Sequence, residues 1–184
     1  MAASTHRGED EVLLEAYGLA RRGGADFSLV LAPRHPRRAG EVVKAARGGG
    51  WRVCLRSQAR CSQQWDVLVV DTVGELFDLM REAAGVFVGG SLVPVGGHNL
   101  MEPAVLSRPV VAGPRLENVR EQAAALGSAL AVAAGARELA AVWSRWIQHP
   151  EEAAAQGRQA RTAAEAAGGA LERTMDVLKR HGLA

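Results

Sequence analysis

Three loops of this sequence carry side chains suited to holding an anionic ligand. The first reads A-P-R-H-P from Ala32 to Pro36. Its two prolines stiffen the chain, so Arg34 could grip a phosphate through two parallel N–H bonds while His35 adds a donor. A solvated arginine beside a proline turn fits the same residues. The second loop is D-T-V-G-E-L, Asp71 to Leu76, where a strand end meets a glycine that opens a helix. First-turn N–H groups and the helix dipole both favour negative charge there, and Gly74 lets a ligand approach the backbone. Asp71, Thr72 and Glu75 read equally as ordinary helix-start residues.

The third loop, G-G-S-L-V-P-V-G-G-H-N-L-M-E-P from Gly89 to Pro103, is the most unusual. Its glycines describe a long connection that ends in a helix start. Asn99 with Glu102 three residues later fits a capping box, yet a cap does not require Gly96, Gly97 and His98 ahead of it; Ser91 of the same loop is a further candidate contact. A carboxylate so placed at a sheet's carboxyl edge can instead accept hydrogen bonds from ribose hydroxyls. Pro103 falls in the first turn, where its missing N–H costs little.

Absent patterns narrow the chemistry. The sequence contains no G-x-G-x-x-G, G-x-x-x-x-G-K-[ST], G-x-S-x-G or H-E-x-x-H, so hydride transfer, P-loop hydrolysis, serine hydrolysis and zinc proteolysis lose their usual anchors. No D-x-D stands at a strand end to hold a divalent metal. Cys54 and Cys61 fit neither a disulfide framework nor a zinc site, which suits a reducing cytosol. Bound negative charge would be neutralised by Arg34, His35, His98 and helix N-termini, with no metal and no cofactor.

The elements that must position these loops follow from periodicity. Apolar runs bounded by Gly, Pro or Asp predict strands at Phe27–Ala32, Trp51–Leu55, Asp66–Asp71, Gly85–Gly89, Pro109–Ala112 and Ala129–Ala133, with Ala2–Thr5 a strand or its end. Amphipathic stretches predict helices at Glu9–Arg22, Arg37–Arg47, Gly74–Ala84, Asn99–Ser107, Asn118–Leu126 and Ala136–His149. Beyond Pro150 two helices are expected, the second from Ala170 to His181 with Leu171, Thr174, Met175 and Leu178 as a packing stripe. Continuous apolar strands are buried on both faces, so the fold class is α/β, a Rossmann-like parallel sheet with helices on each side. Ligands of such sheets bind outside the carboxyl ends of the strands, where the three loops lie.

The 184 residues suit one domain, read as 1–149, with a helical tail over 150–184. Hydrophobic residues at 48% and charged residues at 23% exclude disorder, and no apolar run approaches the length of a transmembrane span. A net charge of +2 and aromatics at 4% give neither the field nor the stacking platform of a nucleic-acid binder.

Taken together, the segments A-S-T-H-x-G-E (Ala3–Glu9), P-R-H-P (Pro33–Pro36), D-T-V-G-E-L (Asp71–Leu76), F-V-G-G-S-L-V-P-V-G-G-H-N (Phe87–Asn99), E-P (Glu102, Pro103) and G-P followed by Asn118 resemble the C-terminal half of bacterial Kdo transferases. The resemblance spans Ala2 to Glu121; Leu100 stands where the family often has Pro, and Val119 where Phe is usual. It implies one half of a GT-B glycosyltransferase built of two Rossmann-like domains. That enzyme transfers 3-deoxy-D-manno-octulosonic acid (Kdo) from CMP-Kdo to a lipid A precursor in lipopolysaccharide biosynthesis, with inversion and without metal. The CMP-contacting positions carry over onto Pro33 and Arg34, onto Val73, Gly74 and Glu75, and onto Asn99, Leu100, Met101 and Glu102. The catalytic carboxylate, the acceptor site and the attachment to the cytoplasmic face of the inner membrane belong to the other half, so no catalytic residue is expected in this chain and no transfer from it alone. A nucleotide-sugar epimerase-like domain and a non-catalytic nucleotide-binding module are the rival readings.

Overall fold

In the computed structural model, which describes residues 1–58 and 64–180 and side chains as far as residue 168, short Val-, Leu- and Ala-rich runs form seven strands. They are β1 (Ala2–Thr5), β2 (Leu29–Pro33), β3 (Val53–Leu55), β4 (Val67–Val69), β5 (Val86–Val88), β6 (Val110–Ala112) and β7 (Leu130–Val132). All pairings are parallel, in the order β3-β4-β2-β1-β5-β6-β7. The strand order reverses between β1 and β5, so the crevice of this sheet lies where those two strands end.

The helices are α1 (Glu9–Arg22), α2 (Ala39–Gly48), α3 (Leu76–Glu82), α4 (Met101–Val105), α5 (Arg120–Leu126), α6 (Ala136–Gln148) and α7 (Pro150–Arg180). Successive strand residues point to opposite faces, and the core divides accordingly. Phe87 faces α1, α2 and α6 with Leu13, Val42 and Leu139, whereas Val86 and Val88 face α3, α4, α5 and α7 with Met80, Ala104, Leu126 and Ala160. The α/β sheet with helices on both faces is therefore as the apolar patterning indicated. Four of the chain's few aromatics, Tyr17, Phe27, Trp51 and Trp143, pack on one another in the first of these layers.

Four helices start later than their patterns predict. Pro36–Arg38 and Glu117–Val119 form 3-10 turns ahead of α2 and α5, while Gly74 and Asn99 stay in the loops before α3 and α4. The expected pair of tail helices is a single helix, α7. Its alanine-rich sequence carries it through Gly168 and Gly169, each of which costs about 1 kcal/mol relative to alanine. The side chains of Leu171, Thr174, Met175 and Leu178 lie outside the described ones, and Cys61 lies outside the described residues. Among the described residues, no helix is long and apolar enough to cross a membrane.

Gly157, inside α7, shows what close packing demands of composition. A Cβ there would stand 2.0 Å from the carbonyl oxygen of Ser107, itself held at φ 56°, and 3.2 Å from the nitrogen of Pro109. Helix propensity favours Gly157→Ala by about 1 kcal/mol, but overpacking against backbone costs about 1–3 kcal/mol. Gly157→Ala should lower the unfolding temperature, and a raised one would show that α7 can shift away from the Ser107 turn.

Candidate functional site

The crevice is assembled from the residues that leave β1, β2, β4 and β5. At the end of β1 the register with β2 shifts between Ala3 and Thr5, and Ser4 adopts φ 56°, a conformation rare outside glycine. Thr5 then turns its hydroxyl inward to donate to Asp10 Oδ1 at 2.6 Å, and its carbonyl accepts the Arg34 N–H at 3.0 Å. Arg38 clamps the same corner, pairing with the buried Asp10 carboxylate and donating to the Thr5 carbonyl at 3.2 Å. In this way the turn after β2 is tied to the end of β1.

Glu9 organises the other side. It is fully buried at the start of α1, and its carboxylate accepts four backbone N–H groups. His6 and Gly90 donate to Oε2, both at 2.8 Å, while Ser91 at 3.1 Å and Leu92 at 3.0 Å donate to Oε1. The acceptor-only carboxylate thus folds the glycine-rich loop over the N-terminus of α1. Ser91 is also fully buried: its hydroxyl donates to the Val88 carbonyl at 2.5 Å and accepts the Gly113 N–H at 2.8 Å, so its side chain supports the loop from within. Gly96 and Gly97, at φ 95° and 85°, are buried as well, with Asn118 and Val119 where their Cβ atoms would be.

Most of the remaining candidates sit nearer the solvent, although Pro33 is buried. Pro33, Arg34, Val73 and Gly74 line one cavity of about 280 Å³ with Ser4 and Thr72, so the first and second loops meet there. Arg34 and His35 are exposed, Val73 is 84% exposed, and Glu75 is held by Arg56 at 2.5 Å. His98 comes from the third loop to meet His6: the two Nε2 atoms are 2.7 Å apart, and His35 stands edge-on to His6 with ring centroids at 6.4 Å. Burial holds both His6 and His98 below the usual histidine value; Arg34 and His35 add to this on both rings, and Glu9 opposes it.

At the start of α4 the first N–H groups are engaged within the fold. The Leu100 N–H is donated to Gln122 at 2.8 Å and the Met101 N–H to Asn99 Oδ1 at 3.0 Å, while Pro103 has none to give. Leu100 is buried and Met101 partly so. Asn99 Nδ2 donates to Glu102 Oε1 at 3.2 Å, so the reciprocal bond of the capping box runs here between the two side chains. At the opposite, amino end of the sheet a cavity of about 320 Å³ is lined by Phe27, Leu29, Trp65, Leu79, Trp143 and Trp146 among others, with no Arg, Lys or His side chain. It lacks the charge an anion needs.

Of the residues gathered here, Arg34, His35 and His98 are sequence candidates, whereas His6, Glu9, Asp10 and Arg38 are not. The only signal was A-S-T-H-x-G-E itself, in which a glutamate directly after glycine opens a helix.

No family model matches the chain. It is 33% identical over 184 residues to the 3-deoxy-D-manno-octulosonic acid transferase of Bordetella pertussis, covering 96% of this chain and 43% of that protein. It is 36% identical over 116 residues to a probable mitochondrial 3-deoxy-D-manno-octulosonic acid transferase of Arabidopsis thaliana, covering 61% and 26%. The chain therefore spans less than half the length of these curated relatives. A crystal structure of the C-terminal CMP-Kdo binding domain of WaaA from Acinetobacter baumannii superposes with a TM-score of 0.82 at 31% identity, covering 88% of this chain and 86% of that one. With sequence and fold agreeing over nearly all of that domain, the chain belongs to the 3-deoxy-D-manno-octulosonic acid transferase family and corresponds to its C-terminal domain.

Proposed function

We propose that this chain is the donor-binding domain of a glycosyltransferase and holds CMP-Kdo by its nucleotide. The observation that carries the reading is the meeting of Arg34, His35, His6 and His98 at the carboxyl ends of the strands, and the Acinetobacter domain that this chain resembles is described as CMP-Kdo binding. In this reading Arg34 and His35 face the phosphate, Val73, Gly74 and Glu75 border the nucleotide, and Asn99 to Glu102 meet the ribose. The single phosphate of a CMP-sugar needs little countercharge, which suits transfer without metal. Inversion at Kdo, the lipid A acceptor, the catalytic base and work at the cytoplasmic face of the inner membrane belong to the other half of such an enzyme.

The test is a titration of the chain with CMP, UMP and phosphorylated sugars. One wall of a cleft should bind CMP with Kd near the millimolar level, about 4 kcal/mol, and prefer it to UMP. An equal response to every nucleotide would remove the cytidine assignment. The chain alone should show no Kdo transfer, and turnover by it unaided would place the catalytic carboxylate here.

A further inference from the structure

The His6 and His98 rings are 11° from parallel with centroids 5.0 Å apart, and their Nε2 atoms are separated by 2.7 Å. Rings stacked face to face would bring many atoms together; here the N···N contact and the rings' own half-widths account for the centroid distance. The two imidazoles therefore lie end to end in nearly one plane, joined by an N–H···N hydrogen bond. This geometry restricts protonation. Two Nε2–H groups, or two bare lone pairs, would repel at 2.7 Å, so one proton always sits between the rings.

The neutral pair then has one ring donating from Nε2, which leaves its Nδ1 bare, and one ring accepting at Nε2, which carries its proton on Nδ1. Only one position, the bare Nδ1, can take another proton without breaking the contact. Filling it makes the pair a single cation with two outward Nδ1–H donors. A second added proton has to break the bond, so the pair titrates as a unit.

The surroundings set when that position fills. Burial opposes charge on both rings, as do Arg34 and His35 from the turn after β2; Arg38, just before α2, opposes it on His6, while Glu9 from α1 favours it on both. With the site empty, opposition prevails. An anion docking beside Arg34 and His35 reverses the balance, because it adds negative charge where the pair can answer with a cation.

We infer that the His6–His98 pair takes up one proton from solvent when an anion docks, coupling this site's affinity for phosphate-bearing ligands to pH. The inference rests on the donor-site reading for the identity of the nucleotide, and on the geometry alone for the anion. The sign follows from linkage. The loaded pair holds its proton to higher pH than the empty pair, so affinity rises as pH falls through the loaded value and levels off below the empty one. One proton sets a limit of about tenfold per pH unit.

Calorimetric titration with CMP at pH 7.5, repeated in buffers of different ionisation enthalpy, counts the protons exchanged. The phosphate of CMP, with a second pKa of about 6, is by then almost wholly dianionic and can only release protons to a cationic site, so net uptake must come from the protein. Uptake with CMP, none with cytidine, and its loss in His6→Gln and in His98→Gln would support the inference. CMP binding with no uptake, or with release, would overturn it. If CMP fails to bind but inorganic phosphate or pyrophosphate binds with uptake, the nucleotide reading falls and this inference stands. NMR titration of the two imidazole Cε1–H signals in the unsubstituted chain covers variants that do not fold. Coupled curves that move to higher pH with phosphate are expected; independent curves, or curves unmoved by CMP, phosphate and pyrophosphate alike, would refute the pair.

Discussion

Glu9→Gln should cost about 3 kcal/mol or more of stability, although it changes the side chain by one atom. Each oxygen of the Glu9 carboxylate accepts two backbone N–H groups, from His6 and Gly90 on one side and from Ser91 and Leu92 on the other. A glutamine amide keeps one acceptor oxygen and turns an NH2 group toward the other pair of donors. Two N–H groups, one buried and one partly buried, then face a donor, and an unsatisfied buried group costs about 1–3 kcal/mol. Nothing nearby can turn to relieve them, since the opposing groups are backbone and Glu9 is fully buried. In a chain of this size such a loss lowers the unfolding temperature by roughly 10 °C. Thermal unfolding followed by circular dichroism measures it, and a shift of only a degree or two would show that the loop takes its shape from its glycines alone. The amide signals of Gly90, Ser91 and Leu92 should also move, because the charge-assisted bonds that polarise them are gone. Binding at the crevice should weaken together with stability, since the same carboxylate fixes the backbone of His6.

What could be read from residues alone follows a physical division. Strands such as Val86–Val88 and Val110–Val111 are buried on both faces, so each position has to be apolar and the run is visible without context. Helix α1 is legible for a similar reason: its apolar stripe ends at Gly23 and its first turn is acidic. Helix starts are less legible where local side-chain bonds compete with the helix. Asn99 holds the Met101 N–H, and so the helix begins at Met101 and not at Asn99. The exposed members of the candidate site, Arg34, His35 and Asn99, are visible in the sequence because their types and loop positions already suggest a ligand. Ser91 follows Gly89 and Gly90 in the same kind of loop and so looks like a contact too; its hydroxyl is bonded within the fold to Val88 and Gly113. His6 and Glu9 escaped because their roles depend on partners more than eighty residues away in the chain, His98 for one and Gly90 to Leu92 for the other. No local pattern carries such a pairing.

Arg34→Ala should remove roughly 1.5 to 3 kcal/mol of CMP binding and leave cytidine binding almost unchanged. The Arg34 backbone is pinned by its N–H bond to Thr5, while its side chain is exposed at the rim of the cavity that Val73 and Gly74 also line. Truncation therefore deletes the guanidinium without loosening the turn, and only a ligand with a phosphate should notice. Glu102 supplies the contrast. One of its carboxylate oxygens accepts from the Asn99 side chain, which leaves the other as an acceptor for ribose hydroxyls. If it receives them, Glu102→Gln should weaken CMP and cytidine alike, and a 2'-deoxy nucleotide should bind the unsubstituted chain poorly. If it serves only the start of α4, the substitution should lower thermal stability slightly and leave both ligands unaffected, because a glutamine oxygen can still accept from Asn99. Parallel titrations of CMP, cytidine and 2'-deoxy-CMP against both variants separate these cases. An Arg34→Ala chain that loses CMP and cytidine equally would refute the phosphate role, and would mean that the side chain shapes the Pro33–Pro36 turn instead.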